Sequence, residues 1–257
     1  MRTPIVASNW KMHKLVDESR ELAGSVADAS SDLSNIDLIL SPTYVSLPAV
    51  AEALGDSSVG LAAQNVHWAE EGAYTGEVSP PMVRDVGCTH AIIGHSERRQ
   101  YFGETDVSVN RRARAALDHD LRPIICVGES LAERRQGETE LKIKLQIRAA
   151  LSEVGADDAS DVVLAYEPLW AIGTGESAEP DQVQSAHRRI RELLDDIYGE
   201  SVASSVRLIY GGSVKPHNVD GLIELPDVDG ALVGSASLEA DSFLSIAESV
   251  SEHATSS

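Results

Sequence analysis

Aromatic residues are scarce in this 257-residue chain, at 4% of the total, so aliphatic side chains must fill the interior of a sequence that is 42% hydrophobic. No apolar run is long enough to cross a bilayer as a helix. Only two cysteines occur, Cys88 and Cys126, both inside apolar runs and without metal-ligand spacing. They read as buried free thiols in a reducing compartment, not as a disulfide framework or a metal centre. Lysine is confined to Lys11, Lys14, Lys142, Lys144 and Lys215, and 21 basic residues face 41 acidic ones, for a formal net charge of −20. A surface of that sign lacks the basic face that phosphate backbones require, which argues against nucleic acid and against an anionic membrane as partners. It repels itself in dilute buffer and is screened in concentrated salt, so a high-salt cytoplasm is one expectation. The start, Met1-Arg2-Thr3-Pro4, leads directly into a strand-like segment with no signal-peptide pattern, and a cytoplasmic location is expected.

What is present is a repeated alternation. Short aliphatic runs recur at Ile5–Asn9, Leu38–Ser41, Val59–Gln64, Ala91–His95, Pro123–Gly128, Val162–Glu167, Val206–Gly211 and Gly230–Gly234. Most are continuous instead of alternating, as expected for strands buried on both faces of a parallel sheet. Helical patterns fill the gaps. Val16–Ala27 reads as amphipathic, and Val107–Leu117 carries Arg111, Arg112 and Arg114 on a face expected to be solvated. Leu131–Val154 reads as one long periodic set built on Leu141, Leu145, Ile147 and Leu151. Pro180–Tyr198 opens with a proline suited to a first helical turn, and Leu238–Val250 closes the pattern. Eight strand–helix repeats predict a closed (β/α)8 barrel as one domain over 1–257, with 251–257 as a frayed polar tail. The runner-up, an open doubly wound sheet, is disfavoured because the first strand leads to Asn9-Trp10-Lys11 and not to a glycine-rich dinucleotide turn.

Polar residues gather where these strands end: Asn9 and Lys11, Gln64 and Asn65, His95-Ser96-Glu97, Glu167, Gly211-Gly212-Ser213, and Gly234-Ser235. Taken singly, Lys11 is a surface lysine, His95 a structural histidine, Glu167 a helix cap and the glycine tips tight turns. In a barrel, however, all these ends meet at one mouth, where barrel chemistry is done. Glu167 stands at a strand tip, followed at once by Pro168 and a loop with two glycines. That is the layout of a base with a cover over Pro168–Ala178 that keeps water out.

These stretches also carry a resemblance. Asn9-Trp10-Lys11-Met12, Gly94-His95-Ser96-Glu97-Arg98-Arg99, Ala165-Tyr166-Glu167-Pro168 with Trp170-Ala171-Ile172-Gly173-Thr174-Gly175, and Tyr210-Gly211-Gly212-Ser213-Val214 resemble the triosephosphate isomerase family. They stand in that family's order and spacing, from about Ile5 to Leu238. The resemblance implies interconversion of dihydroxyacetone phosphate and D-glyceraldehyde 3-phosphate without metal or organic cofactor. In it Glu167 is the base, His95 a neutral electrophile, Lys11 an electrostatic stabiliser and Asn9 a further donor. The phosphate falls to backbone N–H groups at Gly173, Ser213, Gly234 and Ser235, and Ser96, Glu97, Thr75 and Cys126 are supporting residues.

Two positions depart from the family pattern. Ser235 stands where a second glycine is usual, and Glu176 where the far hinge of the cover often has lysine. The loop 65–78, with His67, Trp68, Tyr74 and Thr75, is implied to insert into a second copy, giving a homodimer in which Thr75 supports the partner's Asn9–Lys11 corner. Two other readings remain to be set against this one. Another phosphate-binding barrel enzyme would share the glycine tips but not the Lys11, His95 and Glu167 set. A barrel kept for binding alone would be expected to have lost one of those three.

Overall fold

Eight four- to six-residue strands pair in chain order, every one parallel to its neighbour, and the last pairs with the first. In the computed structural model, which describes residues 2–172 and 178–256, they are β1 Ile5–Ser8, β2 Asp37–Leu40, β3 Gly60–Ala63, β4 His90–Ile93, β5 Arg122–Val127, β6 Val163–Tyr166, β7 Arg207–Tyr210 and β8 Gly230–Val233. The closed (β/α)8 barrel expected from the sequence is the fold.

Strand periodicity divides the apolar residues between two cores. Ile5, Ala7, Ile39, Ala62, Ile92, Ile124, Cys126, Val163, Ala165, Ile209 and Leu232 pack inside the barrel. The intervening residues, such as Val6, Leu38, Ile93, Val127, Leu164 and Tyr210, pack outward against the helices. Successive side chains of a strand point to opposite faces, and both faces here are covered, which explains the unbroken aliphatic runs. The helix Pro180–Tyr198 starts at the proline and buries Val183, Ala186, His187, Ile190, Leu193 and Leu194 along one stripe.

Four local expectations are corrected. The segment 131–154 is two helices, Leu131–Arg135 and Thr139–Ala150, interrupted where Gly137 takes φ 75°. The second buries Ile143, Gln146, Ile147 and Ala150, and that leaves Leu141 and Leu145 exposed on the opposite side. Arg112 is not solvated: it is buried, its Nε donates to the Val66 carbonyl at 3.0 Å, and its NH1 lies 3.7 Å from Glu104. The tail does not fray at 251, because the last helix runs Ala240–Ser256. Asn35 holds it by donating to the Ser251 carbonyl and to Thr255 Oγ1. In the loop 65–78, His67 and Trp68 pack on their own chain. The His67 ring is buried and stacks on Trp68 at 4.3 Å, and the Arg112 guanidinium lies 5.0 Å over the Trp68 ring. Only the stretch around Tyr74 and Thr75 is left at the surface of that loop.

Candidate active site

Glu167 follows β6 by one residue and continues its inward register after Val163 and Ala165, so its side chain enters the barrel mouth. Its N–H donates to the Val127 carbonyl at 2.7 Å. The space it occupies is made by glycines on both sides. A Cβ on Gly128 would stand 1.8 Å from the Glu167 carbonyl oxygen, and one on Gly211 would stand 2.8 Å from its Cγ. The carboxylate is buried: Oε2 accepts the Ser96 N–H at 3.0 Å, and Oε1 lies 3.1 Å from His95 Nε2. Beneath it, burial first and then the charge and hydrogen bonding of Glu167 hold the Cys126 thiol well above its usual range, so Cys126 stays a protonated neighbour.

His95 reaches the mouth by a break in register. On β4, Ile92 faces inward and Ile93 outward, so an uninterrupted strand would turn His95 outward. Gly94 takes φ 71°, a left-handed conformation that a side chain disfavours, and a Cβ there would meet Val109 at 2.7 Å. The turn places His95 as the cap of the helix Ser96–Phe102, with its Nδ1 accepting the Glu97 N–H at 3.2 Å. An Nδ1 that accepts carries no proton, so the ring hydrogen sits on Nε2, the nitrogen beside Glu167.

Lys11 adopts φ 51°, which costs a non-glycine residue roughly 1–3 kcal/mol. The surrounding bonds hold it there. Its N–H donates to Asn9 Oδ1 at 3.0 Å, and its carbonyl accepts from Gln64 Nε2 at 2.9 Å. The ammonium is 2.5 Å from Glu97 Oε1. Asn9, Lys11, His95 and Glu167 line one cavity of about 480 Å³, together with Glu97. Ser213, Gly234 and Ser235 line it too, with Ser235 exposed at the start of the 3-10 turn Ser235–Leu238. Thr75 is exposed and does not reach this cavity of its own chain, and Gly173 with 174–177, including Glu176, lies outside the described residues.

Sequence reasoning missed Glu129, a fully buried carboxylate just beyond β5. Trp170 Nε1 donates to it at 3.0 Å, Tyr166 donates at 3.2 Å, and Arg134 pairs with it at 3.2 Å while lying 4.6 Å over the Trp170 ring. It therefore ties the first turn of the expected cover, the 3-10 helix Leu169–Ala171, to the barrel. The signal was available, since Glu129 is a second acid at a strand tip. His13 and Lys215, also on the cavity wall, were missed because neither lies at a strand tip. No group of three His, Cys, Asp or Glu is placed to hold a metal among the described residues. Among them, too, no helix is long and apolar enough to cross a membrane.

A parallel eight-stranded barrel with ionisable side chains gathered at the carboxyl ends of its strands is a (β/α)8 barrel of the enzymatic kind. Residues 4–250 match the triosephosphate isomerase family. The triosephosphate isomerase of Chloroflexus aurantiacus is 54% identical over 246 residues, 96% of this chain and 98% of that one. Those of Trichlorobacter lovleyi and Roseiflexus sp. are each 48% identical over 96% of this chain, covering 98% and 97% of their own lengths. The chain belongs to the triosephosphate isomerase family and is, with it, an intramolecular isomerase.

Proposed function

We propose that the chain interconverts dihydroxyacetone phosphate and D-glyceraldehyde 3-phosphate by moving one proton between adjacent carbons through an enediolate. The observation that carries this reading is the placement of Glu167, His95 and Lys11 on one cavity wide enough for a triose. Glu167 takes the proton from the carbon beside the carbonyl and returns it to the neighbouring carbon. A positioned base of this kind contributes roughly 10²–10⁴-fold. His95 donates its Nε2 hydrogen to the carbonyl oxygen as charge develops there, and the Glu97 N–H keeps that tautomer in place. Lys11 supplies fixed positive charge and Asn9 a further donor; removing one such preorganised donor costs roughly 3–4 kcal/mol of barrier.

The phosphate lies against backbone N–H groups at Ser213, Gly234 and Ser235. Loops after the last two strands are the usual phosphate site of a barrel. Proton transfer between carbons is acid–base chemistry that these side chains supply without a cofactor. A second copy of the chain completes the assembly in the cytoplasm. Met12, Val45, Tyr74, Met82 and Phe102 are exposed on connections that follow β1 to β4, one side of the barrel, and the 65–78 loop stands among them.

A coupled assay of dihydroxyacetone phosphate turnover tests the activity, with Glu167→Gln as control. Turnover in the parent and a loss of at least ~10²-fold in the variant are expected. No turnover by the parent from low to molar KCl defeats the reading. Light scattering at fixed concentration tests the dimer, and a monomer there removes it.

A further inference from the structure

The cavity wall carries one positive charge that the proposed chemistry does not use. Of five lysines in the chain, Lys11 and Lys215 line this cavity, on the loops after β1 and β7. Lys11 is paired with Glu97, Lys14 with Glu239 and Lys142 with Glu133. Lys215 is exposed and has no ion pair among the described residues.

Its backbone is fixed although its ammonium has no ion pair among the described residues. The Lys215 N–H donates to Asn218 Oδ1 at 2.8 Å, while Asn218 Nδ2 donates to the Ser213 carbonyl at 3.0 Å. One amide side chain thus clamps the loop from both ends. Val214 between them is buried, and Pro216 restricts the backbone beyond. The carboxylates on the cavity wall, Glu97 and Glu167, are engaged by Lys11 and by the Ser96 N–H. Asp220 and Glu224, nearby in sequence, make no ion pair with Lys215.

We infer that Lys215 is a capture residue for the substrate phosphate: a positioning group that acts on encounter and not on proton transfer. This rests on the reading under Proposed function. A dianion approaching a body of net charge −20 is repelled at long range, so association depends on local positive charge at the mouth. Lys11 is shared with Glu97 and lies deeper, whereas Lys215 has no such partner among the described residues. Lys215 presents a full charge at the rim, beside Ser213, where the phosphate would settle.

The test compares the parent with Lys215→Gln and Lys215→Arg, measuring kcat and KM from about 10 mM to about 0.5 M ionic strength, over which screening rises steeply. Binding of inorganic phosphate is titrated in parallel. For a single charge ~8 Å from a dianion in water, Coulomb's law gives about fivefold. The glutamine variant should lose about fivefold in kcat/KM and in phosphate affinity at low salt, with kcat unchanged. The gap should close at high salt and be restored by arginine. Equal values for parent and variant at every salt concentration overturn the proposal. So does a loss that persists at high salt, or one that falls on kcat. The phosphate titration reads Lys215 even if the parent turns over no triose phosphate, which separates this inference from the activity beneath it.

Discussion

Acid should destabilise this protein well before its carboxylates protonate, because two histidines are folded in uncharged form. Burial pushes His90 down from 6.5 to about 3, and Arg122 and Arg207 add to the effect. Burial lowers His187 to about 4, against the opposing pull of the Asp227 carbonyl. In both rings Nε2 is buried without a hydrogen-bond partner among the described residues, so a proton placed there meets neither water nor an acceptor. In the unfolded chain both rings titrate near 6.5. The folded values lie below the unfolded one, so the unfolded chain takes up protons first as pH falls. The stability these rings contribute is complete above about pH 6.5 and is lost on the way down to about 4 and about 3. Between pH 7 and 5.5 the linkage relation gives about 1.3 kcal/mol for each ring and about 2.5 kcal/mol for the two. That is a large part of a typical stability of about 5–15 kcal/mol.

Urea unfolding at fixed ionic strength and protein concentration, at pH 7 and pH 5.5, measures the loss. Both pH values lie above the ordinary carboxylate range, which keeps the acidic residues out of the comparison. His187→Gln and His90→Gln will each lower stability at pH 7, since a packed ring is lost. The decisive quantity is the difference between the two pH values. Each variant should lose about 1.3 kcal/mol less than the parent on acidification, and the double variant should be nearly flat. If parent and double variant lose the same amount, these rings are not the acid-sensitive groups and the reasoning fails.

Gly211→Ala should cut kcat/KM by at least ~10²-fold with little change in far-UV circular dichroism, because the new Cβ would stand 2.8 Å from Glu167 Cγ and displace the base; activity near the parent's would contradict the packing. Arg112→Met should cost roughly 1–3 kcal/mol in urea unfolding, since it leaves the Val66 carbonyl without its donor while Arg98 still pairs with Glu104; no measurable loss would mean that the carbonyl is not desolvated as described. Glu129→Gln should weaken the tie between Trp170 and the barrel, shifting tryptophan emission and lowering kcat more than it raises KM; unchanged emission would place the control elsewhere. In the parent, moderate salt should raise kcat/KM by screening the net charge of −20; a steady fall from the lowest salt upward would show that local attraction outweighs body repulsion.

The barrel was legible because its strands are buried on both faces, which turns each into a short unbroken aliphatic run at regular spacing. Errors came where one-dimensional periodicity cannot tell which side of a helix meets the sheet. Leu141 and Leu145 look like core at spacing four, yet the helix presents Ile143, Ile147 and Ala150 to the barrel. Arg112 looks like a solvated charge beside Arg111 and Arg114, yet its position on the turn faces Glu104 and the Val66 carbonyl. Charge pattern alone gave no means of separating it from its two exposed neighbours. The polar tail was expected to fray from composition, but Asn35, more than two hundred residues away in sequence, supplies the bonds that keep it helical.

The candidate site was legible for a different reason, and the limits follow from it. Strand ends converge in any closed parallel barrel, so a residue at a tip can be placed at the mouth without coordinates. That logic reaches Asn9 and Glu167, which continue their strands' inward register. His95, at the tip of β4, is placed at the mouth by the same rule, but the register of β4 would turn it outward. Only the left-handed turn at Gly94 brings the imidazole round, and there the Val109 contact leaves no space for a side chain. A Gly94→Ala variant should therefore behave as a loss of His95 function, with the barrel intact but the ring misdirected. If the alanine variant kept parental kcat/KM, the imidazole would be held by its bond to the Glu97 N–H alone, and the register break would be incidental.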